Sequence, residues 1–236
     1  MDFDHLSRLY LSIPPVTRII LTCFTVASLL THFELVRTFK IYLDFHLIFY
    51  RFQIWRIFTC FMYLGQFSVV LFFNLLIFFR HSSQLEVSQY YGRTADFVMM
   101  YLFCFFVLLS FGFALKEPFL GHSLIETVIY VWSRKNPHAL VNLLGIFTFP
   151  APWFPYISLF VSFITKADIK MDLASLFTGH LYFYLEEIYP SRYDGRVLIK
   201  APKFLENFVD YLMSRGRQQD GEEVPEEDQV EPQWNL

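Results

Sequence analysis

Five stretches of this chain carry no acidic or basic residue, Ile19 to Phe33, Gln66 to Phe79, Phe97 to Leu115, His138 to Thr165 and Leu173 to Leu185, and a sixth, Pro118 to Ser133, is broken only by Glu126. Such runs are predicted to be membrane-spanning helices, because apolar surface on this scale has no place to hide in one soluble domain. The whole chain agrees, at 236 residues, 55% hydrophobic and 20% aromatic, with 30 Phe. The expected fold class is an all-α polytopic membrane protein of six helices. Several runs are short; the last offers 13 residues, about 20 Å of helix against roughly 30 Å of hydrocarbon. A helix of that length draws the bilayer thinner or hides its ends inside the bundle. The run Phe149-Pro150-Ala151-Pro152-Trp153-Phe154-Pro155 cannot continue a helix, so the fifth span is predicted to start as irregular backbone and turn helical near Tyr156.

An even span count puts both termini on one side of the membrane. That side collects twelve Lys and Arg against seven on the other, which favours cytosolic termini by the positive-inside rule. The formal charge of −3 is a property of the tail, since seven acids fall between Asp220 and Glu231. Without the tail the chain is mildly basic, and no basic block interleaved with aromatics suggests nucleic acid. Cys23, Cys60 and Cys104 are widely spaced among apolar residues, unlike a disulfide framework or a zinc site, and read as packing residues. No metal or cofactor is expected. Met1 to Leu11 lacks the basic start and small-residue cleavage site of a signal peptide, so the first span is expected to be retained.

Between the first two spans, His32 to Gly65 is too aromatic for a water-exposed loop. It reads as an amphipathic element in the lipid interface, with Trp55 at headgroup depth and Arg51 and Arg56 reaching outward. Beyond the last span, Pro202 opens a second interfacial or docking helix, with Phe204, Leu205, Phe208, Val209, Leu212 and Met213 at helical spacing. The expected organisation is a six-span domain over residues 1–190, an amphipathic helix within 191–217 and an acidic, disordered tail over 218–236.

Several strings fall in one order: Ser12-Ile13-Pro14-Pro15-Val16-Thr17-Arg18, Tyr50-Arg51-Phe52-Gln53-Ile54-Trp55-Arg56, Asn74, Gly92-Arg93-Thr94-Ala95-Asp96-Phe97, Tyr130-Val131-Trp132, Gly179-His180-Leu181-Tyr182-Phe183 and Tyr189-Pro190. Together, over roughly residues 8 to 210, they resemble the derlins, members of the rhomboid-like superfamily. The resemblance implies a rhomboid-like six-helix bundle with an interfacial first loop, in the endoplasmic reticulum membrane. It also implies a role for Arg51, Gln53, Trp55 and Arg56 in substrate or lipid contact; by chemistry alone Trp55-Arg56 is equally a plain interfacial anchor.

By the same resemblance, Asn74 occupies the position of an oxyanion-stabilising amide in active rhomboids, and His180 that of the general base. A buried asparagine more often makes a helix–helix hydrogen bond, and a buried histidine donates to a neighbouring helix. Aligned on Tyr130-Val131-Trp132, the nucleophile position falls at Gly121, and Ser123 lies two residues late, about 200° round a helix. Val70 stands where a second oxyanion donor is usual, and bulky Tyr182, Phe183, Tyr184 and Leu185 follow His180. Derlins carry a Gly-xxx-Gly pair before this histidine; here Ser175 replaces the first glycine and Gly179 keeps the second, so small-xxx-small packing survives. Glu126, an ionisable group within a span, either lines a water-filled cavity near His180 or pairs with a helix end.

The resemblance therefore implies a catalytically inert protein of endoplasmic-reticulum-associated degradation, with Asn74, Glu126 and His180 as polar fixtures of a membrane cavity. Its expected partners are misfolded client proteins, membrane lipid, a ubiquitin-ligase complex, further derlin copies in a homo- or hetero-oligomer, and the extraction AAA ATPase. That last link is expected to be indirect, because no Phe- and Gly-containing motif follows Gly216. The alternative is an intramembrane serine protease using Ser123 and His180. A third reading, an ion or solute carrier, has Glu126 in its favour and no inverted repeat.

Overall fold

Two consecutive prolines, Pro14 and Pro15, set the backbone for a helix start but bring no side chain that can cap it. Helix α2 (Pro15–His32) is capped from 70 residues away instead. The Glu86 carboxylate accepts the Val16 and Thr17 N–H at 2.9 and 2.8 Å and the Thr17 hydroxyl at 2.7 Å. That hydroxyl, having given its proton to the carboxylate, accepts from Ser82, which in turn accepts from Tyr101, at 2.7 and 2.8 Å. Thr17 and Ser82 are fully buried and Glu86 is 6% exposed. One chain of hydrogen bonds thus joins α2 to α5 (Val69–Gln84), which relaxes into a π-helical turn at Leu85–Gln89 carrying Glu86, and to α6 (Thr94–Leu115).

The computed structural model describes residues 3–143, 147–164, 169–193 and 198–219. A short helix α1 (Phe3–Leu11), not anticipated from the sequence, precedes α2 and is tied to it by the Tyr10 hydroxyl on Thr22 at 2.7 Å. The first loop holds α3 (Phe45–Arg51) and α4 (Trp55–Met62). Next come α5 and α6, then α7 (Gly121–Lys135), α8 (Phe154–Ile164) and α9 (Ile169–Phe183), the last continuing through a π-helical turn into α10 (Tyr189–Arg192). Each of the six runs overlaps one of α2 and α5 to α9, and the chain is mainly helical as expected. Two helices among the described residues, α2 and α6, are long and apolar enough to cross a membrane on length and composition.

Helix α7 is the hub. Eleven of its fifteen residues are buried, and it packs on α4, α5, α6, α8 and α9. Trp132 donates to Gln84 of α5 at 3.0 Å and stands edge-on to His81, while Tyr130 faces α9. The Tyr130-Val131-Trp132 string therefore clamps α7 between two neighbours.

The fifth run departs from expectation. Its first part is an antiparallel hairpin, β1 (Leu140–Leu143) against β2 (Phe147–Pro150), with Leu140 opposite Pro150 and Leu143 opposite Phe147. Pro150, Pro152 and Pro155 remove three N–H groups, so the backbone before them finds partners across a ladder rather than along a helix. Pro150 ends its strand, where the missing donor matters least. The helix begins at Phe154, near the expected Tyr156, and α8 is only 11 residues, about 16 Å.

The first loop is amphipathic, as read. Phe39, Phe45, Phe49, Tyr50, Phe52, Trp55 and Phe58 are exposed, whereas Ile41, Leu43, Ile48, Cys60 and Phe61 are buried. Asp44 caps α3 by accepting the Leu47 N–H at 3.0 Å, a bond that holds its carboxyl below the usual range. Arg56, however, does not reach outward. It is 5% exposed, its Nε donates to Gln53 at 2.7 Å, and one Nη donates to the Phe39 and Tyr42 carbonyls at 3.0 and 2.9 Å. The guanidinium also lies over the Tyr42 ring. Three acceptors in a turn without regular structure need a rigid, many-donor cation, which is why the side chain points inward. Arg51 is exposed as expected.

The chain divides into two compact units between Lys200 and Ala201. The second contains α11 (Lys203–Gln219), preceded by Pro202, with Phe204, Phe208 and Leu212 exposed at i, i+4 spacing. Gln218 and Gln219 belong to this helix; the rest of the expected acidic tail, 220–236, lies outside the described residues.

Replacing Glu86 with Ala strands two buried N–H groups and a hydroxyl, and is expected to destabilise the fold by on the order of 3 kcal/mol, read as a lowered unfolding midpoint in detergent. Arg56→Lys keeps the charge but cannot serve all three acceptors; a loss of about 2 kcal/mol and faster proteolysis within residues 37–44 are expected.

Candidate functional site

Four polar residues recur every fourth position along α7, His122, Glu126, Tyr130 and Arg134, and so lie along one face of the helix. Helix α8 meets this face with two hydroxyls. Ser158 donates to Glu126 at 2.8 Å, and Arg134 donates to the Tyr156 hydroxyl at 2.8 Å. Helix α9 brings His180, whose Nδ1 lies 2.7 Å from the Tyr130 hydroxyl. His122 Nε2 stands 3.8 Å from Glu126, an ion pair when the imidazole is protonated. These contacts form a polar seam among three apolar helices.

Arg134 Nε donates to the Tyr130 oxygen at 3.1 Å, and the same hydroxyl shares a proton with His180 Nδ1, the direction set by the imidazole tautomer. His180 is exposed, and its Nε2 has no partner among the described residues. Asp172 Oδ2 on α9 is buried without a partner. Asn74 of α5, expected among the cavity's polar groups, is half-buried, makes no contact with the seam and none of its expected helix–helix bonds among the described residues.

The packing that sets this geometry is tight. Helices α7 and α9 run parallel, with Thr127 donating to the Ser175 carbonyl at 3.2 Å and the Tyr130 ring lying flat on Gly179. A Cβ on Gly179 would fall 2.8 Å from Tyr130 Cδ1. Ser175 is fully buried, and its hydroxyl turns back to the Met171 carbonyl at 2.8 Å rather than across to α7. The small-xxx-small pair thus works as expected, by close approach.

The hydrolytic dyad is not assembled. Ser123 is buried in the first turn of α7, seven residues before Tyr130 and therefore about 10 Å along the axis from the level of His180. General-base catalysis needs about 3 Å. Nδ1 of His180 is already engaged by Tyr130. At Gly121, the position that the resemblance gives to the nucleophile, a Cβ would lie 2.7 and 2.8 Å from the Phe61 and Tyr63 carbonyl oxygens. The end of α4 fills that space, and its Cys60 carbonyl accepts the Leu120 N–H at 2.9 Å. Val70, at the second donor position, is 68% exposed.

The structure thus brings Glu126 and His180 to one seam, places Ser175 and Gly179 behind it, and keeps Arg56 and Gln53 in the first loop with exposed Trp55, whose indole donates to the Lys40 carbonyl at 3.3 Å. Tyr130, Arg134, Tyr156 and Ser158 were not among the residues singled out from the sequence. For the two on α7 a signal existed, the fourfold spacing from His122; for Tyr156 and Ser158 none did. A second polar cluster closes the same end of the bundle, with Lys135 on Glu186 at 3.0 Å and Tyr90 donating to Glu186 at 2.9 Å. Gly179→Ala is expected to cost roughly 1–3 kcal/mol by pushing the Tyr130 ring away, and to break the Tyr130–His180 bond, seen as a shifted imidazole nitrogen resonance in NMR of labelled protein.

The geometry agrees with what the chain resembles. The model of the Der1-like family matches residues 13–203. A probable derlin-2 homolog from Dictyostelium discoideum is 38% identical over 208 residues, 85% of this chain and 82% of that protein. The probable derlin-1 homolog of the same organism is 32% identical over 205 residues, 86% of this chain and 85% of its own. Derlin-2.2 of Arabidopsis thaliana is 33% identical over 208 residues, covering 83% and 84%. With a family model matching from just before α2 to the first residue of α11, and relatives alike over more than four-fifths of their lengths, the chain belongs to the Der1-like, or derlin, family.

Proposed function

We propose that this chain is a six-span, rhomboid-like protein of the endoplasmic reticulum membrane that has no protease activity and helps misfolded proteins cross towards the cytosol for degradation. The observation that carries the reading is the seam itself: Tyr130 occupies His180 Nδ1, α4 backbone fills the space beside Gly121, and polar groups are left over on α7, α8 and α9. A polypeptide crossing hydrocarbon needs partners for each backbone N–H and C=O. His180 Nε2, the Tyr156 hydroxyl and the free oxygen of Glu126 offer such partners along the seam. Short helices work in the same direction. At 15 residues, about 22 Å, α7 falls short of roughly 30 Å of hydrocarbon, and thinned lipid lowers the barrier that a polar segment meets.

In this reading both termini are cytosolic, and α3 and α4 lie at the lumenal interface, where the exposed aromatics of the first loop and Arg51 contact lipid or client. The exposed Phe204, Phe208 and Leu212 of α11 suit a cytosolic interface. Recruitment of the extraction ATPase runs through a ubiquitin-ligase complex rather than through the tail.

The experiment is a chase of a misfolded lumenal client in cells lacking the chain. Ser123→Ala is expected to restore client turnover fully. Arg134→Leu combined with Glu126→Leu, which strips the seam of charge, is expected to slow it severalfold at equal protein level. Loss of turnover with Ser123→Ala, or labelling of Ser123 by an active-site serine probe, would overturn the reading.

A further inference from the structure

Helix α2 stands away from α6 along much of its length, and the gap is an apolar trough in two parts. One groove, of about 530 Å³, lies between α2 and the first loop and includes Ala27, Lys40 and Trp55. The other, of about 780 Å³, lies between α2, α4 and α6 and includes Ile20, Phe58 and Phe105. Both are lined by Cys23 and Met62, so they meet at the middle of α2.

The hydroxyl protons in this trough are already spent. Thr22 donates to the Arg18 carbonyl, Thr31 to Ala27 and Ser28, Thr59 to Ile41, and Tyr101 to Ser82. An extended polypeptide would find no hydroxyl proton for its carbonyls here, in contrast to the seam beside α7. A hydrocarbon chain asks for no such partner and is slender and flexible enough to follow both grooves. Lys40 is the only charged residue lining either groove and sits at one end, beside the exposed Trp55 ring. Its ammonium forms no ion pair among the described residues, and Arg37 is exposed one turn away. An apolar trough with a cation and an indole at its mouth complements a molecule with an acyl chain and an anionic phosphate.

We infer that the trough along α2 is a binding site for one membrane glycerophospholipid, with its phosphate at Lys40 and an acyl chain running past Cys23 between α4 and α6. The inference rests on the membrane placement of the chain proposed above. A lipid held there fills the space that α2 and α6 leave unpacked and tethers the first loop to the bundle.

The test uses the full-length protein reconstituted in phosphatidylcholine vesicles doped with a phosphatidylcholine bearing a diazirine on one acyl chain. After photolysis, adducts are mapped by peptide mass spectrometry. Adducts are expected severalfold more often on α2 between Ile19 and Thr31 and on α4 than on the exposed Phe160 and Phe163 of α8. Cys23→Trp and, independently, Ala27→Phe should each remove most of that excess, and Lys40→Glu should reduce it where Lys40→Arg does not. Equal labelling of α2 and α8 in the unmodified protein would overturn the site while leaving the membrane placement intact. So would a polypeptide crosslinked in the trough in place of lipid. Absence of adducts on every helix would overturn the placement, and the site with it.

Discussion

The seam exists because α9 comes close enough to α7 to lay Gly179 against the face of Tyr130. With any side chain at 179 the ring must move, since even a methyl carbon would stand 2.8 Å from it. The Tyr130 hydroxyl is the one atom that touches both Arg134 and His180, so its position fixes theirs. Through Arg134 it also fixes Tyr156, the first described polar contact of the short helix α8. The contact is steric in origin and electrostatic in consequence. A gap one carbon wide decides whether four polar side chains on three helices form a connected set or four separate liabilities in an apolar surrounding.

The same economy of space governs the start of α7. An active site at the start of α7 requires room beside the backbone for a nucleophile and its substrate. Here the carbonyls of Phe61 and Tyr63 occupy that room, and the Cys60 carbonyl is bound to the Leu120 N–H. Docking α4 on α7 anchors an otherwise loosely held first loop, while Arg56 gathers the turn before it. The contact that steadies the loop and the contact that excludes a nucleophile are one contact, so restoring a serine at 121 would cost the loop its seat.

How much of this was legible in the sequence follows from the range of each signal. Helix positions and the amphipathic first loop were, because they rest on local periodicity; the small-xxx-small pair at Ser175 and Gly179 was, because its spacing is four residues. The inward turn of Arg56 was not, since its acceptors are backbone carbonyls 14 and 17 residues away, which no residue identity reveals. The capping of α2 by Glu86 spans 70 residues and looks, in the sequence, like an ordinary acid between spans. The hairpin at 140–150 was hidden by composition: uncharged residues suit a ladder and a helix equally, and only the three prolines hinted that the helix would start late. Glu126 and His180 stood out as polar groups among apolar ones, yet Tyr130, which holds His180 and Arg134 on the same face of α7 as Glu126, was read only as part of a family string.

Two faces of the bundle differ less in how many polar atoms they contain than in whether those atoms are already used. Along α2 the hydroxyls of Thr22, Thr31 and Thr59 close back on carbonyls within reach, so the surface is apolar in effect whatever its composition. Along α7 the residues are spaced to meet partners on other helices, and each partnership leaves something over: Nε2 on His180, a proton on Tyr156, a lone pair on Glu126. If the proposed function holds, the unspent groups mark the face that suits a polypeptide in a medium without water, and the spent ones the face that suits lipid. The difference is one of residue type and spacing: threonines whose hydroxyls reach carbonyls on their own or the adjoining segment on one face, and His, Glu, Tyr and Arg reaching across helices on the other.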